Sequence, residues 1–159
     1  MPPRFEESVF ELVAAGYTPV ITHPERLTWI EGHYDVFVRL VRQGAWMQVT
    51  AGALTGMFGP RARYWGERFL GDGHTHLLAT DAHSDGRRVP RLSEAHAVAQ
   101  RLLGAEEAGL LVLGRPQAIL QDRLPFRVSP PPGGGANGSK EGSGRGGGAG
   151  WLRRILGRR

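Results

Sequence analysis

Two short strings in this chain carry side chains suited to chemistry: His23-Pro24-Glu25-Arg26 and Thr80-Asp81-Ala82-His83. Imidazole nitrogen combined with a hard carboxylate oxygen suits manganese, iron or zinc, with geometry rather than raw affinity deciding among them. Each string follows a run that reads as a buried strand, residues 18–22 and 76–79. Such groups at the carboxyl ends of two different strands are the material of a metal site at the mouth of an α/β barrel. Side chains two apart on an extended segment point the same way. Where the strand geometry persists that far, Asp81 and His83 are therefore expected to face one metal or a pair, with His23 joining them from a neighbouring strand end.

The elements that must position these groups alternate along the first 128 residues. Residues 5–15 carry Phe5, Val9, Leu12 and Val13 at helical spacing, and Gly16 closes them as a C-cap would. A strand at 18–22 follows, then a helix at 34–43 with Val36, Phe37, Leu40 and Val41 on one face. Residues 45–50 read as a second strand and 51–60 as a Gly-rich loop holding Gly52, Gly56 and Gly59. A third helix is expected at 61–70, a third strand at 75–79, and a fourth helix at 91–103 with Leu92, Ala95, Val98, Ala99 and Leu102 inward. Short helices at 105–113 and 116–120 complete the pattern, Pro116 being placed to start the second. Repetition of this kind implies a parallel sheet with helices packed outside.

Composition narrows the function classes. The 159 residues suit one domain with extensions. No apolar run approaches the roughly 18 residues of a membrane span, and the segment from Met1 to Glu7 lacks an apolar signal core, so no secretory leader is expected. Cysteine is absent, which excludes disulfides, Cys-ligated zinc and a thiolate nucleophile, and is compatible with a cytoplasmic setting. The net charge of +5 is confined to residues 129–159, where Lys140, Arg145, Arg153, Arg154, Arg158 and Arg159 face Glu141 alone. The preceding 128 residues balance, so the domain offers no basic face for nucleic acid.

Residues 129–150, rich in Pro, Gly and Ser, are expected to form a flexible, disordered linker, because they hold almost nothing to bury. Residues 151–159 end the chain; on a helix, Trp151, Leu152, Ile155 and Leu156 share one face and the arginines, through Arg159, the other. Nine residues are too few for a stable isolated helix. They would fold only against an anionic membrane surface or an acidic partner, making the domain membrane-peripheral; a solvated basic end with no role is the simpler alternative.

The His-Pro-Glu-Arg string after a strand, the stretch Gln48-Val49-Thr50-Ala51-Gly52-Ala53-Leu54-Thr55-Gly56-Met57-Phe58-Gly59 and the Asp-Ala-His string occur in an order that resembles a known family. It is that of bacterial metal-dependent protein-tyrosine phosphatases in the PHP (polymerase and histidinol phosphatase) superfamily, which act on tyrosine kinases governing capsular and extracellular polysaccharide synthesis. The resemblance spans residues 5–120. It implies an α/β fold that is part of a (β/α)7 barrel, with residues 1–128 as a partial phosphatase domain. The family's opening Asp-x-His-x-His strand, and a Glu before the His-Pro-Glu-Arg region, have no counterpart here. His74-Thr75-His76 has the right spelling but the wrong place. The expectation is a truncated catalytic domain whose open sheet edge favours self-association and low solubility.

By the same resemblance, His23, Asp81 and His83 are metal ligands, the metal is Mn2+, and Arg26 and Arg88 bind phosphate, with Arg87 as an adjacent alternative to Arg88. The implied chemistry is direct hydrolysis of a phosphotyrosine protein, a bacterial tyrosine kinase, by metal-activated water. A small phosphomonoester such as histidinol phosphate is the alternative substrate, and a non-catalytic half-barrel that binds or regulates a partner is the alternative class. Among the remaining residues, Glu25 is expected to be structural, His76 a core or supporting group, Trp46 and Trp65 packing residues, and His33 and His96 surface residues. Gln48 is open. The loop at 52–59 lacks the Lys-Ser/Thr ending of a nucleotide P-loop.

Overall fold

The computed structural model describes residues 1–84 and 88–134. Three parallel strands, β1 (Val20–Thr22), β2 (Trp46–Thr50) and β3 (Leu77–Ala79), form a sheet in the order β1-β2-β3. Thr22 pairs with Gln48, Gln48 with Leu77, and Thr50 with Ala79, so the carboxyl ends of all three strands open on one side. Each strand is shorter than its apolar run suggests. β1 is also an edge strand with Val20 and Thr22 exposed, whereas β2, between two neighbours, is buried throughout.

Helices fill the connections. α1 (Phe5–Ala14) precedes β1, and α2 (Tyr34–Arg42) crosses to β2 with Tyr34, Phe37, Leu40 and Val41 buried at helical spacing. Arg39 and Arg42 in its last turn complement the helix dipole. Beyond β2, the segment expected to be a loop holds a short helix, α3 (Ala51–Leu54), and the next helix, α4 (Gly59–Gly71), begins two residues earlier than the apolar pattern indicates. Four residues are too few to display a period, which is why α3 is hidden in the sequence. Pro60 near the start of α4 fits a position whose N–H has no helical partner. α4 buries Ala62, Trp65, Phe69 and Leu70.

After β3 comes α5 (Ser93–Leu103), buried through Ala95 and Ala99. α6 (Ala105–Gly109) and α7 (Arg115–Leu120) follow, joined by a π-helical turn at Leu110–Gly114. Gly109, Leu110, Gly114 and Arg115 all keep right-handed helical dihedrals, so the two expected short helices are one helical stretch. The widened turn just before Pro116 lies where proline removes a helical donor.

The core sits between α2, α4 and the sheet. Phe37 stacks on Trp29 at 5.6 Å and meets Phe69 edge-on, while Tyr34 packs on Trp65 and Phe69. Trp46 and Trp65 are buried as expected of packing residues. His76 is also buried: its ring stacks on Trp46 with centroids 5.0 Å apart, and Nδ1 accepts the Met47 N–H.

The expected linker starts inside this structure. The Ser129 carbonyl accepts Arg115 Nε at 2.8 Å, and the Gly133 N–H donates to the Gly73 carbonyl at 2.9 Å. The remainder of the linker and the basic tail with Trp151 lie outside the described residues. Among the described residues, no helix is long and apolar enough to cross a membrane.

Candidate functional site

The two chemistry-bearing strings leave β1 and β3 through the same unusual backbone. His23 directly follows β1 with φ 43°, and Asp81 lies two residues beyond β3 with φ 53°. Both are in the left-handed region, which costs most side chains strain but is comparatively open to His and Asp. Strained residues of this kind cluster at functional sites. At β1, the His23 N–H continues the ladder by donating to the Gln48 carbonyl, and the chain then turns into a tight 3-10 turn, Pro24–Arg26.

That turn sends its side chains in different directions. Glu25 goes inward and is fully buried; one oxygen accepts the Thr50 N–H at 3.1 Å and the other has no hydrogen-bond partner. Burial pushes its carboxyl up to about 7. Its structural role therefore runs through the end of β2.

Arg26 goes to the strand-end surface, where Nη1 donates to Asp81 Oδ2 at 2.7 Å. Arg88 Nη2 donates to the same oxygen and, at 2.8 Å, to the Asp81 carbonyl. The two guanidiniums thus meet at one carboxylate oxygen. Phe58, from the α3–α4 connection, lies against both, with its ring centroid 4.3 Å from Arg26 Cζ and 5.7 Å from Arg88 Cζ. A cleft of about 90 Å³ opens beside Arg88, lined by Gly52, Met57, Thr80, Val89 and Arg91 among others.

His83 takes a different position from the one the alternation rule implies. β3 ends at Ala79 and the left-handed turn at Asp81 breaks the period of two. The His83 ring folds back so that Nδ1 donates to the Asp81 carbonyl at 2.7 Å, and its side chain is 59 % exposed. Nδ1 lies 3.8 Å from Asp81 Oδ1. Asp81 and His83 are therefore neighbours, brought together by a turn and not by strand alternation. Arg87 lies outside the described residues.

A metal site is not complete in this donor set. Among the described residues, no group of three or more His, Asp or Glu side chains is placed to hold a metal ion. Asp81 already serves two guanidiniums. What the geometry does bring together is two arginines converging on one carboxylate oxygen at the ends of parallel strands, beside an aromatic ring.

Sequence reasoning did not single out Phe58 or Arg115. Phe58 is legible afterwards as an aromatic residue inside a Gly-rich connection. Arg115 is fully buried on α7, where it forms a bidentate pair with Glu107 at 2.8 and 3.0 Å and bonds the backbone carbonyls of His76 and Ser129. A single arginine in a helical stretch carries no signal of that kind.

At its strand ends the parallel α/β sheet thus gathers two arginines around the Asp81 carboxylate. The chain belongs to the capsular polysaccharide synthesis family CpsB/CapC, whose model matches residues 3–121. It is 34 % identical over 131 residues to the tyrosine-protein phosphatase YwqE of Bacillus subtilis (strain 168), an alignment covering 82 % of this chain and 51 % of YwqE. To the tyrosine-protein phosphatase CpsB of Streptococcus pneumoniae it is 29 % identical over 122 residues, covering 71 % and 49 %. The fold superposes with a TM-score of 0.73 and 32 % identity on a crystal structure from work on YwqE and CpsB, described there as unique metal-dependent tyrosine phosphatases. That match covers 83 % of this chain and 53 % of the other. The chain spans about half the length of the curated relatives it matches.

Proposed function

We propose that this chain is part of the catalytic domain of a metal-dependent phosphotyrosine-protein phosphatase, a portion of a PHP-type barrel, acting on a tyrosine kinase of polysaccharide synthesis in the cytoplasm. The observation that carries it is the convergence of Arg26 and Arg88, from the turns after β1 and β3, on a single anionic oxygen. Two guanidiniums aimed at one oxygen are what a phosphoryl group needs for binding and for offsetting charge as it reacts. An open cleft adjoins Arg88, on the side where the aryl ring of the substrate would lie.

His23, Asp81 and His83 are a partial donor set for the metal, proposed as manganese with iron or zinc as alternatives, to be completed by side chains from outside the described residues. The basic excess of residues 129–159 would draw the domain towards an anionic membrane surface, where a membrane kinase is within reach.

The test is binding and hydrolysis of a phosphotyrosine peptide by this chain, with Mn2+ and with a chelator, alongside histidinol phosphate. The expected result is peptide binding that is lost in Arg26→Ala and Arg88→Ala, with turnover above the chelator control. Preference for histidinol phosphate would overturn the substrate class. A folded chain that binds the peptide without any turnover would move it to a non-catalytic binding role.

A further inference from the structure

Resting on the proposed phosphate-binding role of Arg26 and Arg88, we propose that Phe58 is the positioning residue that holds this pair of guanidiniums in place for the anion. The two cations come from turns separated along the chain, and bringing them to one point sets like charges against each other. Asp81 offsets that repulsion but does so through the same N–H groups a phosphate would need. Phe58 acts differently. Both Cζ atoms lie within the roughly 6 Å over which a ring face attracts a cation. Contact with a ring face uses no N–H donor, so the guanidinium edges remain free for phosphate oxygens.

Three features of the chain fit that role. Phe58 is only half-buried and stands outside the apolar core, so its ring is not needed to fill the interior. The connection bearing it runs between Gly56 and Gly59, both at positive φ (86° and 83°), a path that most other residues would resist. Gly52 on α3 backs the ring: a Cβ there would come 2.8 Å from Phe58 Cε2, so the absence of a side chain lets the ring seat against the helix. An aromatic side chain seated against backbone and facing two arginines is a platform.

The experiment compares Phe58→Leu, which keeps apolar volume without a π face, with Phe58→Tyr, which keeps the face. Phosphotyrosine and inorganic phosphate are the probes, measured by calorimetry on the whole chain, with Arg26→Ala as the control. The Arg26 and Arg88 Nε–H proton resonances supply a second readout, because a ring face shifts them upfield. The expected result is a loss of affinity of about 5–10-fold in the leucine variant and less than about 2-fold in the tyrosine variant. The upfield shifts should be kept only in the latter, with thermal stability similar in both. Leucine and wild-type chains binding alike, while Arg26→Ala binds weakly, would overturn the role of Phe58 and leave the arginine site standing. Wild-type and Arg26→Ala chains binding alike, or neither binding, would overturn both.

Discussion

Arg26 Nη1 and Asp81 Oδ2 lie 2.7 Å apart across 55 residues of chain, joining the turn after β1 to the turn after β3. The side chains are partly buried, 29 % and 22 % exposed, so the pair is screened less than a surface ion pair. With Arg88 on the same oxygen, Asp81 competes for the two guanidiniums with the phosphate proposed to bind them. Asp81→Asn removes the competing charge while keeping a residue type that tolerates the left-handed backbone at φ 53°. Inorganic phosphate should bind this variant about tenfold more tightly than the wild-type chain, and Arg26→Ala about tenfold more weakly. Titration calorimetry reads both, and equal affinity in all three would remove the anion site.

Gly52→Ala tests the packing behind Phe58. The added Cβ meets Phe58 Cε2 at 2.8 Å and Met57 Sδ at 3.1 Å, both on side chains that can yield. The stability cost should be small, on the order of 1 kcal/mol, because the ring has a solvent-facing way out. Phosphate affinity should fall in step with the displaced ring. A variant that loses several kcal/mol in urea unfolding would show instead that the α3 contact is part of the core.

Arg115 ties together three separate parts of the chain. Its guanidinium is fully buried and binds Glu107, the His76 carbonyl and the Ser129 carbonyl. Arg115→Met leaves a mostly buried carboxylate and two carbonyls without their donor. Removing one partner of a buried pair typically costs about 3–5 kcal/mol. Urea denaturation should show a loss of that size, together with faster proteolysis near Ser129.

His76 predicts an acid-sensitive fold. Burial, then repulsion by Arg115 and by His74, pushes its imidazole down to about 3. In the unfolded chain the ring takes up a proton near pH 6.5, while in the folded chain it stays neutral and accepts the Met47 N–H. At this group the unfolded state therefore binds more protons between these values, and the His76 contribution to stability falls as pH drops from about 6.5 towards 3. Glu25, pushed up to about 7, contributes with the opposite sign between about 7 and 4.5. The full His76 effect is on the order of 4 kcal/mol. His76→Asn, which retains an acceptor for Met47, should flatten this part of the pH–stability curve; an unchanged slope would assign acid sensitivity to other groups.

Much of this protein was legible locally. The helices α1, α2, α4 and α5 and the three strands follow from apolar spacing and from glycines at their ends, signals that reside within ten or so residues. The same locality explains the misses. Ala51–Leu54 is too short to show a helical period, the π-helical turn before Pro116 leaves no compositional mark, and the strands begin one or two residues after the apolar runs do while ending at the same residues. The position of His83 was illegible for a related reason. Alternation holds only while the backbone is extended, and the left-handed Asp81 ends it.

By itself, the sequence determined the alternation of helix and strand, the placing of His23, Arg26, Asp81 and His83 beyond strand ends, and the resemblance those strings carry. Only the tertiary structure decided that Arg26 and Arg88 meet at one oxygen of Asp81 over Phe58, and that Arg115 is buried against Glu107. The reason is physical. Spacing along a chain sets which side chains lie near a strand end, but their meeting depends on parallel register, on two left-handed turns and on which charges the packed core leaves within reach of each other.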